Sequence, residues 1–299
     1  MPARHYFLLL LFYSPFRYIF SAKFYAMYRW SPVILLSLLL LVSSCKNKKE
    51  ESMDHLRKGN DMVLADDLSN ALKEYEDAIR LDTTNWKAYY QLAGVYELQG
   101  DFKNSLYYFN QSVRINPKFA LGYFNMANLE EFTGDDKKSM ADLKKAVNSK
   151  KDFFTAILSK GRKEYADGHL KEAIKDFNDA IAIRSDFYEA YSMRGSCKFK
   201  TGDINGAISD FNMEIQLNPT HVMGYVNRGI AYGEQGNYRD GITDLNSAIQ
   251  IDPLWSQSYI YRGMLYNKAN IKDSSCGDFH MAAKLRNPTA DGYIQQYCK

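Results

Sequence analysis

A spacing of 34 residues governs this sequence. Tyr75, Phe109, Leu143, Phe177, Phe211, Leu245 and Phe279 repeat it with bulky side chains. Gly59, Ala93, Ala127, Gly161, Gly195, Gly229 and Gly263 repeat it with small ones, and no insertion breaks either series. A fixed period of this length marks helix–turn–helix units stacked into a solenoid, because two short helices cannot bury both their faces alone. A solenoid is above all an extended surface for binding.

The stretch Trp86–Phe119 shows how one unit works. Apolar residues at Tyr89, Leu92, Ala93 and Tyr96 fall at helical spacing, and Gly100-Asp101 interrupts them. A second run follows at Phe102, Leu106, Phe109 and Val113, ended by Asn116-Pro117. Glycine suits the left-handed residue past a helix end, and proline cannot continue a helix. Gly134, Gly168, Gly202 and Gly236 repeat the turn, and Pro219 and Pro253 repeat the stop.

These residues resemble the tetratricopeptide repeat. The segments Tyr225–Tyr232 and Ala248–Pro253 are especially similar to its pattern. The resemblance covers Ser52–Thr289 and implies an all-α, right-handed solenoid of seven units: 52–85, 86–119, 120–153, 154–187, 188–221, 222–255 and 256–289. Asp66 and Asn270 replace the turn glycine in the first and last units, as capping repeats would. Glu214 stands where the other units have Ala or Ser, without an explanation in the sequence. Residues 290–299 read as a capping helix with Tyr293 turned inward.

The amino terminus carries a different pattern. Residues 1–44 hold Arg4, Arg17, Lys23 and Arg29, no acidic residue, and a short apolar run at Val33–Val42. That run has signal-peptide length and is too short to span a bilayer comfortably. Val42-Ser43-Ser44-Cys45 looks like the lipobox of a bacterial lipoprotein, which implies cleavage before Cys45 and acylation of its thiol. An ordinary signal peptide or anchor with an incidental cysteine is the alternative. Met27-Tyr28-Arg29-Trp30 would make a compact basic start, so translation is expected to begin at Met27 rather than Met1. Residues 45–51 would form a lipidated tether.

Removing residues 1–44 leaves 34 basic against 35 acidic residues. That balance argues against nucleic acid as a partner. Cys276 and Cys298 fall on helices expected to pack together, so either a disulfide clamps the end or two thiols lie buried. A bridge closing about 20 residues would contribute on the order of 3 kcal/mol in the chain-entropy account. Cys197 reads as a small core residue.

A charge pattern is offset from the two series. Lys58, Lys160, Arg194, Arg228 and Arg262 precede the small residues, and Glu74, Asp176, Asp210, Asp244 and Asp278 precede the bulky ones. Unit two has Leu92 and Tyr108 instead, and unit three has Met126 against Asp142. The co-occurrence points to structural pairs within each hairpin, solvated charges being the alternative.

Motifs for chemistry do not appear. His55, His169, His221 and His280 lie in different units with no ligand at metal spacing. No GxSxG, P-loop or HExxH occurs. The expectation is therefore no enzyme, no cofactor and no metal.

The resemblance places the first helices of successive units along a concave groove. By repeat position its lining would include Tyr90, Phe124 and Leu158, with Asn60, Asn128 and Arg162 beside them, then Asn227, Ile230 and Ile260. Aromatic and amide groups together suit peptide recognition, although Tyr90 and Phe124 could equally pack against neighbouring helices. The subclass that clamps acidic peptide tails needs Lys, Asn and Arg where this chain has Leu56, Gln91 and Leu121, or Tyr90, Asn125 and Thr155 one unit later; neither set supplies the cations, so a chaperone-tail receptor is not expected. The sequence thus reads as an acylated scaffold binding envelope proteins, outer membrane favoured over inner, with a glycan or small-ligand receptor as the alternative. The regularity of the period with a broken charge pattern directs attention to Ala88–Ala127.

Overall fold

The computed structural model describes residues 32–298, with fifteen helices and no strand among the described residues. The expected signal segment up to Ser31 and the start at Met27 lie outside the described residues. So does the side chain of Cys45. Among the described residues no helix is long and apolar enough to cross a membrane.

The described chain forms two units that divide between Tyr108 and Phe109. The first holds α1 (Pro32–Leu64), α2 (Leu68–Leu81), α3 (Trp86–Leu98) and the start of α4 (Phe102–Ile115). Its core gathers Leu56, Ala71, Tyr75, Ala78, Leu92 and Val95. Buried Ser52 ties the helices together, donating to Ala78 O at 2.7 Å and accepting from Asn85 Nδ2 at 2.9 Å. α1 does not begin at Ser52. It runs unbroken through Lys46–Glu51, the stretch expected as a tether, because lysine and glutamate are good helix formers and nothing there stops a helix.

The second unit continues α4 and adds five hairpins and a final helix. These are α5 (Ala120–Phe132) with α6 (Asp136–Ser149), α7 (Phe154–Ala166) with α8 (Leu170–Ile183), and α9 (Tyr188–Lys200) with α10 (Ile204–Leu217). Then come α11 (Val222–Glu234) with α12 (Tyr238–Ile251), α13 (Ser256–Lys268) with α14 (Lys272–Lys284), and α15 (Ala290–Tyr297).

One short motif ends each first helix, and in five of the seven hairpins its last residue caps the second. At the end of α9, Gly202 takes φ +86° and its N–H donates to Phe199 O at 3.1 Å, while Asp203 N–H reaches Lys198 O at 2.9 Å. This is the Schellman arrangement, which satisfies carbonyls at a helix end. Asp203 then caps α10 by accepting from Gly206 N–H at 3.0 Å. Asp66 and Asn270 hold the same left-handed backbone, each at φ 61°, without glycine; their short polar side chains tolerate it better than most.

The two residue series meet inside the hairpins. A Cβ added to Gly195 would lie 2.7 Å from the Phe211 ring, and one added to Gly263 2.6 Å from the Phe279 ring. The small residue therefore sets how closely the helices approach, and the ring fills the space between them.

The last hairpin is closed by α15. Tyr293 stacks on Phe279 with centroids 5.1 Å apart, and Tyr297 lies 6.1 Å from the same ring. Cys276 and Cys298 are joined by a disulfide with Cα atoms 5.5 Å apart. Cys197 is free and buried, and burial pushes its thiol up to about 11.

Candidate functional site

Three hairpins of the second unit carry the same polar clamp. Arg194 donates from Nε and Nη2 to the two oxygens of Asp210 at 2.9 and 2.6 Å. Arg228 does so to Asp244 at 2.7 and 2.6 Å, and Arg262 to Asp278 at 2.8 and 2.6 Å. In each case Nη1 donates to an asparagine of the preceding hairpin: Asn178 at 2.6 Å, Asn212 at 2.7 Å, Asn246 at 2.7 Å. The guanidinium also lies 5.4 to 5.8 Å from the ring centroid of Tyr191, Tyr225 or Tyr259. The bond to the aspartate raises the guanidinium of Arg228 and of Arg262 above the usual arginine value.

This geometry explains the residue types. The planar fork of arginine can hold a carboxylate with two donors and keep a third for an amide. In the fourth unit the cation is Lys160, with both Asp176 oxygens at 2.5 Å, and Lys144 stands where the others have asparagine. An ammonium is a point charge with no fork to share, so the asparagine has no counterpart to serve. Burial raises the Asp176 carboxyl and outweighs the Lys160 bond that lowers it.

The clamps are structural, and other units depart from them. Glu74 meets His55 Nδ1 at 2.7 Å rather than Lys58, which is exposed. In unit two, Leu92 is buried and Tyr108 stacks on Tyr96 with centroids 5.4 Å apart, so packing replaces the ion pair. In unit three Asp142 is held from its own helix by Lys145 at 2.6 Å. The asparagines and tyrosines of the clamps also recur every 34 residues, a signal that the charge pattern alone misses.

Glu214 has a partner of its own. It is fully buried, and its Oε1 lies 2.7 Å from His221 Nδ1. Gly224 leaves it room, since a Cβ there would come within 3.2 Å of the carboxyl carbon. Burial raises the carboxyl above its ordinary value, and the His221 contact opposes that rise.

The residues expected in a groove fall into two groups. In the first unit, Tyr90 is half-buried, and Asn60 accepts from Tyr75 Oη at 2.8 Å and from Gln91 Nε2 at 3.2 Å. In the second, Phe124 and Asn128 sit one turn apart on α5, the asparagine exposed. Arg162 is exposed on α7, and Asn227 and Ile230 are half-buried on α11. Leu158 and Ile260 do not line a groove: they are buried, Leu158 beside Ile157 and Phe177, Ile260 beside Tyr259 and Phe279. A period of 34 fixes which residues share a position, but neighbouring bulk decides which of them are covered. Phe124 spends part of its ring on Phe153, 5.3 Å away, which leaves less of it as a stacking platform.

Among the described residues no group of three or more His, Cys, Asp or Glu side chains could hold a metal ion.

The comparisons agree with this construction. The pattern of the tetratricopeptide repeat matches residues 87–119, 120–153 and 224–253. No curated protein matches the chain. Among solved structures, YrrB, described as a TPR protein with an unusual peptide-binding site, aligns with a TM-score of 0.57 at 18% identity. That alignment covers 62% of this chain and 95% of YrrB. The C-terminal part of a TPR repeat-containing protein from Cytophaga hutchinsonii aligns with a TM-score of 0.64 at 14% identity, covering 80% of this chain and 99% of that one. A tetratricopeptide repeat protein from Parabacteroides merdae gives 0.53 at 17% identity, over 84% of this chain and 100% of that one. Over those three segments the chain carries tetratricopeptide repeats.

Proposed function

We propose that the chain is a lipid-anchored scaffold of the bacterial cell envelope that binds other proteins or peptides through its repeats. The observation that carries the binding role is the hairpin construction itself. Polar side chains such as Asn128, Arg162 and Asn227 lie at least partly exposed on the first helices of packed hairpins, three of which carry the arginine clamp. The peptide-binding site named for YrrB supports the same reading.

The anchor is read from the sequence. Cleavage before Cys45 would leave its acylated thiol at the start of a helix continuous with the first hairpin. At about 0.8 kcal/mol per buried CH₂, two or more acyl chains give a stable attachment. The Cys276–Cys298 disulfide supports an oxidising location outside the cytoplasm, and the outer membrane is the favoured one.

Two experiments test this reading. Cells fed an alkyne-tagged fatty acid should label the wild-type chain and not Cys45→Ser, which should leave the membrane fraction; equal labelling would overturn the anchor. Crosslinking in intact cells should recover a protein adduct that is lost on changing Asn128 and Arg162 to alanine together.

A further inference from the structure

The clamp of units five to seven has a counterpart in unit three from which only the arginine is missing. Two steps of 34 residues back from Asn178, Tyr191 and Asp210 stand Asn110, Tyr123 and Asp142. At the place of Arg194 stands Met126. Helices α4, α5 and α6 leave a cavity of about 430 Å³ there, lined by Asn110, Tyr123, Met126, Glu130, Asp142 and Lys145 among others. The acceptors, the ring and the space are present together.

A second observation points to a ligand. Glu130 is 5% exposed, lines the same cavity, and its Oε2 is buried with no hydrogen-bond partner. In unit five the equivalent residue is Lys198, whose Nζ lies 2.9 Å from Asp210. Unit three has therefore exchanged two cations beside its aspartate for a thioether and a second acid. A buried carboxyl without a partner is costly. Lys145 covers Asp142 for now, with its ammonium 5.5 Å from the Tyr123 ring. Its side chain is 57% exposed, so it can swing into solvent once an incoming guanidinium replaces the charge it withdraws from Asp142.

We propose that this cavity binds a guanidinium group, supplied by an arginine side chain of a partner protein, in the position that Arg194, Arg228 and Arg262 fill within their own units. Asp142 takes two of its donors, Asn110 a third, and Tyr123 its face, as in the three clamps the chain builds for itself. Glu130 adds the charge that an arginine entering from outside needs to leave water. Burial, then the charges of Asp142 and Asp135, push that carboxyl up to about 7, a repulsion that an incoming cation relieves. The identity of the source as a protein rests on the protein-binding reading above, whereas the chemistry of the cavity stands without it.

The full chain, carbon-13 labelled at its methionine methyls, provides the test, because Met126 reports from inside the cavity. Titration with N-acetylarginine methylamide should shift the Met126 signal saturably, and the lysine analogue should bind at least about tenfold more weakly because it lacks the fork. Asp142→Asn should weaken arginine binding by about tenfold or more. If that variant does not fold, Met126→Arg serves instead: it supplies the cation from within and should fold with arginine binding abolished, read by calorimetry. No saturable shift up to about 50 mM arginine amide, equal affinity for the lysine analogue, or full binding by Met126→Arg would overturn the site. Free arginine binding more tightly than the amide would keep the guanidinium site and overturn the protein source. Asn128 and Arg162 do not line this cavity, so a lost crosslink in their variants and a lost titration here are separate failures.

Discussion

Arg228 holds both carboxylate oxygens of Asp244, through Nε at 2.7 Å and Nη2 at 2.6 Å, while its third nitrogen reaches back to Asn212 in the hairpin before. The pair thus fixes α11 against α12 and ties both to α10. Asp244 is only 5% exposed, so losing the arginine leaves a carboxylate that water cannot reach easily. Arg228→Met should destabilise by about 3 kcal/mol, and a double-mutant cycle with Asp244→Asn should return a coupling of about 1–3 kcal/mol. Hydrogen exchange at α11 and α12 amides is the right measurement, since repeat arrays open locally. Coupling below a few tenths of a kcal/mol would show the pair to be mere surface decoration.

Two glycines should respond oppositely to the same change. Gly195→Ala places a methyl 2.7 Å from the Phe211 ring, which must move, and overpacking of this kind costs about 1–3 kcal/mol. Gly94 also lies within a helix, but a Cβ there meets nothing within 4 Å. Gly94→Ala should therefore stabilise by about 0.5–1 kcal/mol through helix propensity alone. Chemical denaturation midpoints of the two variants check both signs.

Stability should fall as pH rises through the range where Glu130 titrates. Its folded carboxyl keeps a proton up to about 7, whereas an unfolded glutamate releases it near about 4.3. Between those values the folded state binds more protons, so raising the pH favours unfolding, and the loss is complete above the folded value. The charged neighbours are Asp142 and Asp135, which add to the repulsion, and Lys138 and Lys145, which reduce it; Arg114 and Tyr123 also line the cavity. Glu130→Gln should flatten this slope, gaining about 1–3 kcal/mol on the wild type between about pH 5 and 8. Parallel slopes in urea titrations would reject the assignment.

Reducing the Cys276–Cys298 bond should loosen α15 selectively. The bridge spans a sequence separation of 22, and a loop near that size contributes on the order of 3 kcal/mol in the chain-entropy account. Cys298→Ser should accelerate exchange in α15 and the end of α14 and leave α9 and α10 unchanged.

The all-helical class and the hairpin turns were legible because they depend on local rules that repeat. Gly-Asp stops one helix and caps the next at three of the turns, as at Gly202-Asp203. What escaped the sequence depends on neighbours. Leu158 shares a repeat position with Phe124, yet it is buried while Phe124 is half-exposed. Glu214 made no sense as a lone anomaly and does so beside His221 and Gly224. Lys46–Glu51 looked like a tether because its composition turns abruptly polar, although polarity along a stretch of good helix formers is also what an exposed helix presents. Met126 breaks the charge pattern, and the role of Asn110 and Tyr123 beside it is visible only from the clamps of units five to seven.

The covalent link at α15 also gives the chain a mechanical direction. A pull applied at residue 298 cannot peel the last helix away, because the load passes through sulfur directly into α14. Rupture must therefore begin at an interface held only by packing and hydrogen bonds, deeper in the stack. Under tension, the end that would ordinarily fray first becomes the handle.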